Sequence, residues 1–381
     1  DHILQQCQEF IGDIKSNYLL EVFNSKIDRF KNLTEEEKTQ FKNQNRQMVE
    51  SCVIPAYEIL IEKLEQLRGM GVNEKGLCYF PEGKAYYEYL VKRSTGDYDS
   101  IAEIEQKIQA KILFDFKQFQ NLAKKTGYFE SINGTNKTET PEEILNRLKE
   151  EIVHDFPAAV DTQCKIKYVH RSMEDFLSPA FYLTPPIDDI ENNVIYINNI
   201  NEYTPLQLFT TLAHEGFPGH LYQTTYFANE MKNPIRAILN FGGYVEGWAT
   251  YVEMYAYGMA EGDKNIIEAE RLNRSIMLGI STLIDISIHY HGCSRETIAS
   301  YLGKLGITSD EISNQIYDTI LEAPANYLQY YVGYLNFEEL KNSYQEWTGE
   351  NFTLKKFHQK VLEIGPSQFS ILEKYLKAEA R

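Results

Sequence analysis

Apolar residues recur at steps of three and four along most of this chain, with charged residues between them, so the sequence reads as helix after helix. In "TPEEILNRLKEEI", residues 140–152, Ile144, Leu148 and Ile152 fall four apart and form one stripe. Three threonines stand three positions before an acid or amide: Thr34 before Glu37, Thr140 before Glu143, Thr204 before Gln207. Each pair predicts a helix start, because the two side chains satisfy each other's backbone N–H groups. Pro141 and Pro205 occupy the first helical position, where no N–H is needed. Between Cys164 and Asn199 the texture changes. "CKIKYVH", "AFYLTPP" and "NVIYINN" are short, β-branched and aromatic, with polar or proline-containing breaks between them, and they predict three strands of a small antiparallel sheet. Helical pattern resumes at Thr204. The expected class is therefore mainly α with a small antiparallel β-sheet (α+β). "SINGTNKTET", 131–140, is polar and turn-rich and predicts a flexible loop. No repeat or linker appears, so residues 1–381 are expected to form a single unit: a helical part (1–156), the sheet (157–200) and a second helical part (201–381).

Composition narrows the partners. The formal charge of −17 is spread along the chain, so the basic footprint that nucleic acid or an anionic membrane requires is missing. No apolar run is long enough to predict a transmembrane helix. Five scattered cysteines make neither a disulfide framework nor a C-x-x-C zinc site. The chain begins at Asp1 without Met and reads as processed or excised, with a further N-terminal segment expected to be missing.

The candidate chemistry sits in "LAHEGFPGHLYQ", Leu212 to Gln223. His214 and His220 are six apart, a step that on an undisturbed helix turns the two rings to different faces. Pro218 and Gly219 stand between them. Proline clashes with the carbonyl four residues back and glycine lets the backbone leave the helical basin, so the helix must bulge or break there. A bulge absorbing two residues returns His220 to the face of His214. Downstream, "GGYVEGWATYVEMYAYG" predicts a helix of about four turns with Glu246 and Glu253 on one face. A carboxylate among Tyr244, Val245, Trp248 and Tyr251 costs several kcal/mol unless a metal or an arginine partners it. Arg236, Arg271 and Arg274 are candidates for holding a substrate carboxylate, with nothing to separate them from surface arginines.

"HEGFPGH" followed by "YVEGWATYVE" resembles the bacterial "domain of unknown function 885" family, whose pattern is roughly H-E-x-x-P-G-H and then E-G-W-A-x-Y-x-E. The resemblance covers most of the chain after about Pro157, with weaker matches earlier, as in "YFPEGKAYYEYLVKRSTG". That family is grouped with the glutamate-zincin metallopeptidases and is similar, more distantly, to carboxypeptidase Taq and thermolysin. The resemblance implies a zincin-like architecture with a bulged HExxPGH helix and one Zn2+ per chain, held by His214, His220 and Glu246. Glu215 becomes the general base. Tyr330, in "NYLQYYVGYLNFEEL", becomes the first candidate for a phenol over the oxyanion, ahead of Tyr327 and Tyr331. Glu253 supports the ligands from behind, and Asp285 and His289, in "LIDISIH", become cleft-wall or supporting residues.

The strand "NVIYINN" is a candidate edge for a peptide substrate. The expected activity is zinc-dependent hydrolysis of short peptides, carboxypeptidase- or oligopeptidase-like. Two other readings stay open: a zinc hydrolase of a non-peptide amide or ester, and a cell-envelope binding protein without turnover. Many family members are candidate exported lipoproteins, which favours the cell envelope over the cytoplasm. Oligomeric state is not encoded in any pattern found.

Overall fold

The computed structural model describes residues 2–126, 139–199 and 203–380. Most of the predicted loop, 131–138, lies outside them. The chain divides into two compact units. The smaller comprises 1–74, 168–179 and 197–201, and the larger the remainder. No linker marks the division, because three separate stretches of chain build the smaller unit.

In the smaller unit, helices α1 (His2–Gly12), α2 (Tyr18–Asp28), α3 (Glu35–Met48) and α4 (Ile54–Leu67) pack in pairs, α2 on α3 and α1 on α4. Glu21 on α2 ties in the returning segment by accepting from Arg171 at 2.7 Å and facing His170 at 3.1 Å.

The larger unit contains α5 (Gly83–Thr95), α6 (Ile101–Thr126), α7 (Pro141–Glu151) and the strands β1 (Gln163–Tyr168), β2 (Ala180–Leu183) and β3 (Asn192–Ile197). Then come α8 (Pro205–Glu215), α9 (His220–Glu230), α10 (Gly242–Ala256), α11 (Lys264–Ile286), α12 (Arg295–Lys304), α13 (Asp310–Glu322), α14 (Asn326–Thr348), α15 (Leu354–Ile364) and α16 (Phe369–Glu379). The reciprocal caps at Thr34, Thr140 and Thr204 are all formed. Ile144, Leu148 and Ile152 are buried as one stripe.

The sheet corrects one expectation. Its strand order is β1-β3-β2, and it is mixed rather than antiparallel. Gln163 N–H bonds to Glu191 O and Val169 N–H to Ile197 O, so β1 and β3 advance together and are parallel. Asn198 N–H bonds to Pro179 O, so β2 runs against β3. Parallel pairing requires a long crossover, and the chain between β1 and β3 supplies it. The consequence is functional: "NVIYINN" is the central strand with both edges occupied, so it has no edge to offer. The edge strands are β1 and β2, and β2 is the one that reaches Glu215.

Two contacts set the helical frame. Helices α6 and α11 pack along their length, with Ile276, Ile280 and Ile284 buried beside Ile112 and Phe119. Helices α10 and α14 cross where glycines meet: a Cβ on Gly333 would stand 2.3 Å from Gly243 O and 2.7 Å from Gly247 Cα. Only two bare backbones can approach so closely. Glu246 precedes one of these glycines and Tyr330 lies about one turn before the other, so the crossing brings both to the same place.

Candidate metal centre

The helix carrying His214 and Glu215 does not bulge; it ends. Helix α8 stops at Glu215, residues 216–219 form a turn containing a cis Phe217–Pro218 peptide, and α9 begins at His220. The expected bulged helix is replaced by two helices, because Gly216 and Gly219, on either side of Phe217–Pro218, both leave the helical backbone region. The turn is tight. A Cβ on Gly219 would lie 1.8 Å from His214 O, so no other residue fits there without moving the backbone. Tyr222 N–H closes it onto Gly216 O at 3.1 Å. From α10, Trp248 Nε1–H donates to Pro218 O at 2.8 Å, pinning the turn from below.

The outcome is convergence. The His214 and His220 rings lie 4.9 Å apart at 84°. Glu246 Oε2 stands 3.3 Å from His220 Nε2 and 3.8 Å from His214 Nε2. Ligand atoms of His214, Glu215 and His220 also lie within 4.8 Å of one another. Atoms about 2.0–2.1 Å from a tetrahedral zinc stand roughly 3.3–3.5 Å apart, so Glu246 stands from each imidazole at close to the spacing of two such ligands. Of the two neighbouring carboxylates, Glu246 is the one that faces both imidazoles. Glu215 Oε2 is already engaged, accepting Tyr182 N–H from β2 at 2.7 Å.

Electrostatics point the same way. Burial disfavours charge on His214, but hydrogen bonds to Glu246 and Glu253, with Glu215 nearby, override it and push the ring up to about 10. Burial would raise Glu246 as well, yet His214 and His220 hold it well below the carboxylate range. A ring crowded by three carboxylates retains a cation in the form of a proton, and a metal ion would substitute for it. Behind the pair, His214 Nδ1–H donates to Glu253 Oε2 at 3.0 Å, which leaves Nε2 turned toward Glu246. Glu253 is in turn gripped by Arg274, Nε to Oε1 at 2.8 Å and Nη2 to Oε2 at 3.4 Å. Burial works against this carboxylate, and Arg274 with His214 brings it down to about 2.

Among the tyrosines of α14, Tyr330 is the one that faces the site. Burial raises its phenol, and the charges of Glu246 and Glu215 raise it further. Tyr331 is turned into the core beside Ser275, 3.3 Å from its hydroxyl, and Tyr327 lies by Thr282, which reaches its carbonyl. Asp285 and His289 serve elsewhere. Asp285 Oδ1 accepts from Tyr87 OH at 2.6 Å and from Ala325 N–H at 3.0 Å, so it caps the start of α14 from a neighbouring helix. Burial lifts it to about 7 despite these bonds. His289 Nδ1 accepts from Leu77 N–H at 3.3 Å and Nε2–H donates to Ile320 O at 3.1 Å, with the ring stacked on Tyr87. No contact among the described residues joins either to His214, His220 or Glu246.

Sequence reasoning did not single out three contributors. The Tyr182 N–H is a backbone group and leaves no trace in residue type. Tyr203, whose buried hydroxyl finds no partner among the described residues, is lifted to about 12 by burial and by the charge of Glu215. Trp248 was legible only as a buried aromatic, although its place in "EGWA" marks it as part of the motif.

The profile described as "Bacterial protein of unknown function (DUF885)" matches residues 1–376. The chain belongs to this family. The DUF885 match extends well before Pro157, where the recognisable motifs begin. A candidate lipoprotein from Colwellia psychrerythraea, known from its crystal structure, superposes with a TM-score of 0.88 at 21% identity, over 99% of this chain and 69% of that one. A candidate lipoprotein of unknown function from Shewanella oneidensis gives 0.65 at 16% identity, over 98% and 73%. At these identities the likeness shows a shared fold. No curated protein matches this DUF885 chain.

Proposed function

We propose that this DUF885 protein is a zinc-dependent hydrolase of peptide bonds in short peptides, a carboxypeptidase- or oligopeptidase-like relative of the glutamate-zincins. One observation carries the reading. A carboxylate from one helix stands 3.3 and 3.8 Å from two imidazoles that come from two others, and a second carboxylate stands beside them, held by a backbone N–H. His214, His220 and Glu246 would hold the ion. When bound, zinc supplies a Lewis acid and lowers the pKa of water to around 7.

The chain's own side chains do the rest. Glu253 keeps His214 in the tautomer that presents Nε2. Glu215, fixed through one oxygen by Tyr182, takes a proton from the attacking water and delivers it to the leaving amine. Tyr330 remains protonated, since burial and nearby carboxylates oppose its ionisation, and so can donate to the oxyanion of the substrate. Pro179 directs its carbonyl to β3, and alternation along the strand turns the backbone of Tyr182 away from the sheet, toward Glu215. A peptide laid along this edge of β2 brings its carbonyl to the base. The lipoprotein assignment of the two structural neighbours favours the cell envelope as the site of action, and no helix among the described residues is long and apolar enough to cross a membrane.

The test is metal content followed by Glu215→Gln. Zinc should be retained at the level of the parent, and peptide hydrolysis should fall about 10²–10⁴-fold, as for loss of a general base. Protein that takes up no divalent metal, or a Gln variant that cleaves as fast as its parent, would overturn the proposal. Turnover of esters with none of peptides would move the substrate class and leave the centre in place.

A further inference from the structure

Three arginines were candidates for a substrate carboxylate, and the structure separates them. Arg236 spends its guanidinium on the carbonyls of Ile364 and Pro366, at 2.6 and 2.8 Å. Arg271 forks onto Glu268 through Nε and Nη2, at 2.8 and 2.6 Å, a carboxylate outside the site. Arg274 differs in its partner and in being more exposed. Its Nε and one Nη2 hydrogen go to Glu253, while Nη1 finds no acceptor among the described residues. A guanidinium has a side edge, Nε with one Nη, and an end edge, Nη1 with Nη2, and each can fork a carboxylate. Glu253 takes the side edge and leaves the end edge open.

This open edge is within reach of solvent beside the site. The Arg274 side chain is 44% exposed, although Leu272, Ser275 and Tyr257 around it are buried. Through Glu253 it lies one side chain from His214, and its charge is felt by Tyr330, which is also coupled to Glu246 and Glu215. Among the described residues no other lysine or arginine is paired with Glu215, Glu246 or Glu253, and Arg274 is paired with Glu253. Glu215, Glu246 and Glu253 repel an anion, as does a chain of net charge −17. Arg274 is therefore the side chain here that would attract a substrate carboxylate.

Resting on the peptidase reading, we propose that the open edge of Arg274 binds a substrate carboxylate, and that the preferred substrates are peptides cut beside their free C-terminus. In such a peptide the terminal carboxylate carbon is two covalent bonds from the scissile nitrogen, so a cation adjacent to the hydrolytic groups is where that carboxylate needs its partner. The arginine that steadies Glu253 behind His214 would then also select the substrate.

The experiment uses three matched peptides on the zinc-loaded protein: one with a free C-terminus, its C-terminal amide, and an amide whose last residue is glutamate. The acid should be cleaved about 10–100-fold more efficiently than the plain amide, as for loss of one charged hydrogen-bonding partner. In Arg274→Gln, which keeps a donor for Glu253, the ratio of acid to amide cleavage should fall to about one, read as a ratio at equal zinc loading so that any loss common to both peptides cancels. A glutamate peptide restored to the rate of the acid would support the carboxylate site and assign it to an acidic side chain.

Binding gives a separate readout. Calorimetric titration of the metal-free protein with an N-acetyl dipeptide and its amide should show at least tenfold preference for the acid, lost in Arg274→Gln. Arg274→Lys, which keeps the charge without the fork, should retain part of it and covers the case of a Gln variant that fails to fold. Equal handling of acid and amide by the parent protein, or a preference that survives in Arg274→Gln, would refute the assignment. If no peptide is cleaved at all, the peptidase reading fails, and the titration still judges the carboxylate site on its own.

Discussion

Replacing Gly333 by alanine tests how the site is assembled. The new Cβ would sit 2.3 Å from Gly243 O and 2.7 Å from Gly247 Cα, against 3.4 Å for the closest ordinary contact. The obstacle is backbone and no side chain can swing aside, so α14 must retreat from α10 by about 1 Å, the kind of overpacking that costs about 1–3 kcal/mol. Alanine's better helix propensity returns about 1 kcal/mol, which leaves a net loss of about 0–2 kcal/mol. The sharper effect is on chemistry. Tyr330 moves with α14, whereas the proposed ligands sit on α8, α9 and α10. Zinc binding should therefore survive while hydrolysis falls roughly 100-fold, the scale for a 1 Å misplacement of a catalytic group. Gly303→Ala is the control, since nothing lies within 4 Å of its new Cβ. Denaturant midpoints, zinc stoichiometry and kcat/KM on one peptide read all three quantities. If Gly333→Ala matched the Gly303→Ala control in stability and turnover, the glycine crossing would not be what places Tyr330.

Glu253→Gln removes the charge that Arg274 and His214 share, and zinc affinity should drop about 10–100-fold in a chelator competition; unchanged affinity would mean that Glu253 does not tune the ligand. Trp248→Phe leaves Pro218 O without its donor, so the denaturation midpoint should fall by the equivalent of about 1–3 kcal/mol, and a midpoint equal to the parent's would remove the tryptophan as the anchor of the turn. His358 is buried and neutral, donating Nδ1–H to Asp155 O at 2.6 Å and accepting from Tyr251 OH at 2.9 Å. Burial depresses its pKa from 6.5 to about 3, so its contribution is complete above pH 6.5 and lost as pH falls toward 3, on the order of a few kcal/mol. Thermal melts across that range should show a shallower acid slope for His358→Gln than for the parent protein, and identical slopes would discard His358 as an acid-sensitive group.

Local chemistry was enough to read much of this molecule from its sequence. Thr34, Thr140 and Thr204 mark helix starts because a cap is settled by residues three positions apart. Pro218 and Gly219 announce a break because proline and glycine act on their own backbone. The donor types at His214, Glu215, His220 and Glu246 are written in the chain for the same reason. Tertiary packing decided the rest. That "NVIYINN" is central and β1 and β2 the edges depends on which strands find each other, and alternating residues look alike in either place. That Tyr330 faces the carboxylates while Tyr331 turns to Ser275 depends on the meeting of Gly247 with Gly333, 86 positions apart in the chain. Asp285 and His289 show the limit most clearly: a four-residue spacing puts them on one side of a helix, but only the surfaces packed there, Tyr87 and Ala325 for one, Leu77 and Ile320 for the other, make them supports of the frame. Sequence fixes what a side chain can do within a turn or two; which partner it meets is set by long-range contacts that no local pattern records.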